Sequence, residues 1–283
     1  MSRYTDKYLI INADDLGYNE AQNAAITELY RAGEISSVSV LTVTSCAESG
    51  ARTAREEGMS AGIHFALTSD EENARWHSVS GARSLEDGKG LYTGGFRLAM
   101  SARRKDVRKE LEAQYSFLTS RGVTPDYADS HSGTLYGING RRFYRDAFEF
   151  CRERDLPFRF PKSPAFIVRQ LGRAPRVIIA LHAHIVRLAE MYGVTLIDDL
   201  VSNPWRTGKL TELRDYYVSA VENLKPGITE MFLHPALPAE NMTPGWQKRV
   251  YEYEILKSGA IRKAAERTGA KIISRAEIKR IKN

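Results

Sequence analysis

Six residues stand where apolar, strand-like runs end, and together they could do metal-dependent hydrolysis. Asp14 and Asp15 adjoin in "IINADDLGYN", His64 lies late in "SAGIHFAL", Asp129 and His131 follow "PDYA", and His234 ends "ITEMFLH". One carboxylate and two imidazoles, Asp15, His64 and His131, form a borderline-hard donor set with open coordination positions. Such a set suits Zn²⁺ and tolerates a harder ion such as Mg²⁺. A divalent ion bound there polarises a carbonyl and acidifies its water, and the adjacent carboxylate, Asp14, is the residue to take that water's proton. Singly, each residue has a plainer use, as a strand-end histidine bonded to its surroundings or an aspartate capping a turn. Their arrival at four separate strand ends is what points to a site.

The elements that must carry these residues alternate along the chain. Strand candidates are 8–13, 36–43, 60–67, 125–130, 156–160, 193–197, 228–234 and 270–274. Helix candidates lie between them, at about 19–32, 47–57, 105–120, 141–154, 174–191, 211–224 and 246–268. Asn19 is placed to cap the first helix and Gly33 to end it, and "SRAE" at 274–277 has the spacing of a capping box. With no Pro/Gly/Ser-rich linker, this alternation predicts one α/β domain spanning 1–283, and eight strands suit a closed barrel as readily as an open sheet. In either architecture, function gathers where the strands end and the following loops converge. Two segments fit neither pattern, 68–96 and 235–246, and read as lid or binding loops. In the first, Trp76, Tyr92 and Phe96 offer packing groups.

Composition narrows the class. Of the 283 residues, 42% are hydrophobic and 27% charged, and no run approaches the roughly 20 apolar residues of a membrane helix. The start, "MSRYTDKYLII", lacks an apolar signal core, so a cytoplasmic location is expected. Cys46 and Cys151 have neither metal nor redox spacing and read as two buried thiols. The net charge of +6 concentrates in "RLAMSARRKDVRKELEAQ", which alternates into Glu110 and Glu112 as a solvated helix face does. No aromatic interleaving accompanies it, so neither nucleic acid nor membrane is expected as a partner. A homodimer is compatible with the sequence.

Other polar residues have lesser claims. His182 and His184 face different sides of a helix, so they are not a metal pair. His77 is expected in solvent. Asp198 and Asp199 repeat the doublet at a strand end, one as a turn or cap and Asp199 as a hydrogen-bond partner for a polar substrate group. Tyr136, Trp76 and Trp246 offer apolar faces on which a substrate ring could lie. The glycines of "GTLYGING" lack the spacing of a dinucleotide site.

The segments "INADDLGYNEAQNAAI", "SAGIHFALT", "DSH" and "GITEMFLHP" resemble the successive signatures of the YdjC-like carbohydrate deacetylases, whose best-known members remove acetyl groups from chito-oligosaccharides. The resemblance runs from about residue 8 to 235. It implies a distorted (β/α) TIM-like barrel and a metal-dependent hydrolase acting on an N-acetylated mono- or oligosaccharide. It also implies Asp14 as general base, Asp15, His64 and His131 as ligands of one divalent ion (Mg²⁺ or Zn²⁺), and His234 as general acid. Two departures bear on substrate identity: "DSHSGTLYG" lacks a further histidine beyond His131, and an Arg-Pro element reads "PFRFPKS", which offers Arg159 as the substrate-side match. Two rival readings stand: a non-haem iron oxygenase using the same Asp/His/His set, and a non-catalytic carbohydrate-binding barrel.

Overall fold

A computed structural model of the chain describes residues 5–204, 208–240 and 244–282. Its strands are β1 (Lys7–Leu16), β2 (Ser37–Val40), β3 (Ala61–Phe65), β4 (Glu86–Asp87), β5 (Gly90–Leu91), β6 (Ala128–Ser130), β7 (Phe158–Pro161), β8 (Leu196–Ile197), β9 (Asp199–Val201), β10 (Gly227–Leu233) and β11 (Lys271–Ile272). The helices are α1 (Glu20–Arg31), α2 (Ala47–Glu56), α3 (Gly95–Ser101), α4 (Arg104–Thr119), α5 (Tyr144–Glu153), α6 (Ala165–Leu171), α7 (Arg176–Met191), α8 (Leu210–Glu222), α9 (Pro244–Lys257), α10 (Ala260–Thr268) and α11 (Ile278–Lys282).

Eight strands run parallel in the order β8-β7-β6-β3-β2-β1-β10-β9, with β11 added beside β1. The two ends of this order, β8 and β9, are separated in the chain by Asp198 alone. Its backbone N–H donates to Ile228 on β10, and its carbonyl accepts from Ser163 just beyond β7. The sheet therefore curls into a nearly closed TIM-like barrel with helices outside. Among the described residues, no helix is long and apolar enough to cross a membrane.

Strand alternation divides the side chains of β1 between two environments. Leu9, Ile11 and Ala13 join the large core under the helices, whereas Ile10 joins Ile197, Leu200, Ile228, Ile273 and Ile278 in a separate apolar cluster. Above that cluster, along the same face, come Asn12 and Asp14. The lumen is filled, as small barrels require. Tyr127 crosses it to donate to both Asn12 Oδ1 and the Val38 carbonyl. Gly62 makes room for that phenol, because a Cβ there would sit 2.4 Å from the Tyr127 ring.

Several local expectations hold and several change. Asn19 Oδ1 accepts the Gln22 N–H, and Ser274 with Glu277 closes the capping box. The single helix expected over 246–268 is two, α9 and α10, parted at Gly259, whose φ of +69° ends one helix before the next begins. Strand β9 was not expected. Cys46 and Cys151 are free thiols, Cys151 buried as expected and Cys46 only half-buried.

The segment 68–96 is built rather than irregular. It contains a turn of 3₁₀ helix at Arg83–Leu85 and the β4/β5 hairpin, with Leu85 and Leu91 buried. Glu110, expected on a solvated face, is instead fully buried. Its carboxylate accepts the Val79 and Ser80 amides at 2.9 Å each and so pins this segment to α4. The outer face of α4 is charged as expected, with Arg104 and Arg108 paired to Asp146, Glu149 and Glu153 of α5. Phe96 is 78% exposed, whereas Trp76 and Tyr92 pack against the core. Of the second irregular segment, 241–243 lie outside the described residues.

Candidate metal and acid–base site

Parallel strands deliver their polar residues to one rim. Asp14 and Asp15 come from the end of β1, His64 from β3, Asp129 from β6, Arg159 from β7, and His131 and His234 directly follow β6 and β10. Two successive strand residues ordinarily point to opposite faces. Here the β1/β2 register slips by one residue between Ala13 and Leu16, and Asp15 takes a φ of +67°. This bulge turns both carboxylates toward the barrel mouth, the kind of re-aiming such irregularities perform beside sites. Gly17, with φ +98°, then lets the chain pass close under α2, where Gly50 leaves room for it.

Asp15 Oδ1 lies 3.2 Å from His64 Nε2 and 3.3 Å from His131 Nδ1. The three donor atoms lie within 4.8 Å of one another, and all three side chains are buried. The donor set fits a divalent ion, because each imidazole is already committed through its other nitrogen. His64 sits opposite Asp129 in the β3/β6 register and donates Nδ1–H to its Oδ1 at 2.6 Å. His131 donates Nε2–H to Asp70 Oδ1 at 2.7 Å. The nitrogens left facing Asp15 are the ones free to carry lone pairs. Arg249, from α9, holds the other oxygen of Asp15 at 2.8 Å and lies over the Tyr18 ring.

Electrostatics follow from this crowding. Burial favours neutral Asp15, but Arg249, His131 and His64 outweigh it and hold the carboxyl well below its ordinary range. Burial likewise opposes charge on the imidazoles. Asp129 and Asp15 nonetheless push His64 up to about 10, and Asp70 with Asp15 pushes His131 up to about 9. A cation bound there would take the place of these protons.

Asp14 is 1% exposed. Its oxygens accept from Arg159 Nη1 and Nη2 and from Asn12 Nδ2. Burial alone would raise its pKa, but Arg159 and His64 bring it down to about 2. His234 Nε2 stands 3.9 Å from Asp14 Oδ2, and its Nδ1 4.0 Å from Glu252 of α9. The His234 amide donates to that same Glu252, whose other oxygen accepts from Tyr217. A second cluster of metal-like donors is Asp14, His64 and Asp129, and its two carboxylates already hold the Arg159 guanidinium.

Arg159, offered by the sequence as a substrate contact, is buried. All three of its guanidinium nitrogens face carboxylates: Asp14, Asp129 and Glu230. Asp199 opens β9, at the end away from the mouth, and pairs with Arg169 at 2.5 Å. Tyr136 turns its hydroxyl to the Ser130 amide and its ring to Phe158 and Phe160, which makes it mainly a wall residue. Trp76 does reach the site, with its ring centroid 5.2 Å from that of His131 and 5.6 Å from that of Tyr18. Trp246 lies 6.1 Å beyond Tyr18. After His131, Ser132 and Gly133 both adopt left-handed φ, a tight turn that occupies the stretch where a further histidine was missing. His182 is buried, stacked on Phe160 and bonded to the Pro161 carbonyl, as a core histidine is.

Sequence reasoning missed Asp70, Glu230, Arg249 and Glu252. Glu230 had a signal, an acid inside the apolar run "ITEMFLH". The others come from a loop and a helix whose approach to the rim depends on tertiary packing.

A family model described as YdjC-like protein matches residues 8–267. A carbohydrate deacetylase of Geobacillus stearothermophilus is 27% identical over 276 residues, 96% of this chain and 98% of that one. A chitooligosaccharide deacetylase of Yersinia enterocolitica is 27% identical over 275 residues, 94% and 97% of the two chains. Among solved structures, a protein from Enterococcus faecalis named for cellobiose-phosphate cleavage aligns with a TM-score of 0.78 at 23% identity, covering 97% of this chain and 99% of that one, which is a likeness of fold. Matched along nearly its whole length, the chain belongs to the YdjC-like protein family.

Proposed function

We propose that the chain is a metal-dependent carbohydrate deacetylase that hydrolyses the acetamide of an N-acetylated mono- or oligosaccharide of the chito-oligosaccharide type. The observation that carries this reading is the convergence of Asp15, His64 and His131 within 4.8 Å beside a second, separately held carboxylate, Asp14. Full-length similarity to proteins named carbohydrate and chitooligosaccharide deacetylase supports the same reaction.

Asp15, His64 and His131 would hold one divalent ion, Zn²⁺ or Mg²⁺, which when bound supplies Lewis-acid activation of the acyl carbonyl and of water. Asp14, immobilised by Arg159 and Asn12, takes the proton of the water that attacks the carbonyl carbon. His234, backed by Glu252, protonates the amine nitrogen as the C–N bond breaks, so the products are acetate and the free amino sugar. Trp76 and Tyr18 offer aromatic faces beside His131 on which a pyranose ring can lie.

The test is acetate release from N-acetylglucosamine and chito-oligosaccharides of increasing length with defined metals, under anaerobic conditions and with Asp14→Asn as control. Metal-dependent release that Asp14→Asn abolishes is expected. No release from any acetylated sugar by fully metal-loaded protein sinks the reading, and a requirement for oxygen with Fe²⁺ would turn it toward the oxygenase.

A further inference from the structure

The two imidazoles of the site are each backed by a carboxylate, but the two carboxylates arise differently. Asp129, behind His64, is a barrel residue fixed by strand register. Asp70, behind His131, belongs to the segment that follows β3, and its side chain is 27% exposed, where Asp15, His64, His131 and Asp129 are buried. That segment is nevertheless held. Ser69 is buried, its amide donates to the Tyr92 carbonyl, and its hydroxyl accepts the Trp76 amide at 2.7 Å. Farther along, Glu110 pins Val79 and Ser80. The same segment thus presents two groups to His131: the Asp70 carboxylate at Nε2 and the Trp76 ring at its side.

Imidazole has two nitrogens, and only the one without a proton can bind a cation. His131 approaches Asp15 through Nδ1, whereas the neutral form that leaves Nδ1 bare must carry its proton on Nε2, where Asp70 accepts it at 2.7 Å. We propose that Asp70 is the positioning residue that fixes His131 in the Nε2–H tautomer and ring orientation needed to bind the metal, and that through it the 68–96 segment, rather than the barrel alone, completes the metal centre. This rests on the metal-site reading above. Asp70 does not touch the reacting atoms.

The experiment measures zinc affinity by competition with a chromophoric chelator in wild type, Asp70→Ala and Asp70→Asn, together with imidazole nitrogen shifts of His131 from ¹⁵N-resolved NMR of the zinc-loaded and metal-free proteins. Asp70→Ala is expected to weaken zinc binding by about 10- to 100-fold, the range for loss of a partner behind a ligating histidine. It should also shift metal-free, neutral His131 toward the Nδ1–H tautomer. Asp70→Asn, whose amide oxygen still accepts from Nε2–H, should recover most of the affinity and the wild-type tautomer. Unchanged affinity and nitrogen shifts in Asp70→Ala overturn the proposal. So does a fall in zinc coordination number by X-ray absorption in Asp70→Ala, which would make Asp70 a ligand. A wild-type protein that binds no zinc removes the metal-site reading and this inference with it, whereas a metal-binding wild type that releases no acetate leaves only the deacetylase activity in error.

Discussion

Arg159 clasps both oxygens of Asp14, with Nη1 2.6 Å from Oδ2 and Nη2 2.7 Å from Oδ1. The guanidinium reaches across the lumen from β7 to β1 and also meets Glu230 through Nε. It therefore does two jobs at once. It fixes the orientation of the proposed base, and it neutralises a lumen that would otherwise hold Asp14, Asp129 and Glu230 with Arg275 as the remaining guanidinium.

Arg159→Met should destabilise the fold by about 3–5 kcal/mol, the cost of leaving buried carboxylates without their partner. Chemical denaturation measures this directly. Arg159→Lys should rescue stability only in part, because an ammonium cannot grip two oxygens in parallel. A Met variant as stable as wild type would mean that the lumen network carries little energy.

Asp14→Asn should lower deacetylation by about 10²- to 10⁴-fold, the usual contribution of a general base, while zinc affinity stays within a few-fold of wild type. His64→Ala and His131→Ala should lose both activity and tight zinc binding. Paired acetate-release and metal-titration assays separate the roles, and loss of zinc binding in Asp14→Asn would reverse the assignment of the doublet.

The metal-free protein should respond to pH through its two raised imidazoles, His64 near 10 and His131 near 9. Their folded values exceed the unfolded value of about 6.5, so the stabilisation from the charged forms is complete below about pH 6.5 and fades as pH rises toward 9–10. The melting temperature of metal-free protein should fall across that window, and that of zinc-loaded protein should fall less. Zinc added at pH 7 should also displace a proton from each imidazole. Calorimetry in buffers of different ionisation enthalpy reads that release, and a value near zero contradicts the ligand assignment.

Glu110→Ala should loosen the segment that carries Asp70 and Trp76 without touching the site. It leaves the Val79 and Ser80 amides without their acceptor, at a cost of about 1–3 kcal/mol. Hydrogen exchange at those amides should accelerate about tenfold or more, with a rise in KM exceeding any fall in kcat. Unaltered exchange would show that hairpin packing alone holds the segment.

The sequence made the rim residues legible because they sit at the ends of apolar runs, which periodicity locates well. Asp14, Asp15, His64, His131 and His234 all follow from that pattern, and so does the barrel as one of two architectures. Local pattern did not show why adjacent carboxylates can share a face, since the answer is a bulge set by pairing with β2. The lumen partners of Arg159 are not legible in the sequence, because they come from β1, β6 and β10 and only the closed lumen brings them together. The burial of Glu110 is hidden for a similar reason. A helix surrounded by basic residues looks solvated until a neighbouring loop is laid on one side of it.

At the seam of the barrel, Asp198 serves both margins of the sheet, bonded to Ile228 on one side and Ser163 on the other. Peptide continuity therefore does there what a ladder of paired strands does elsewhere, and the seam is not left as an open strand edge of the kind that recruits a strand from another molecule. A nick beside Asp198 would convert a closed wall into a ribbon with two sticky margins, whereas a nick in the helix-flanking loops would leave the wall intact.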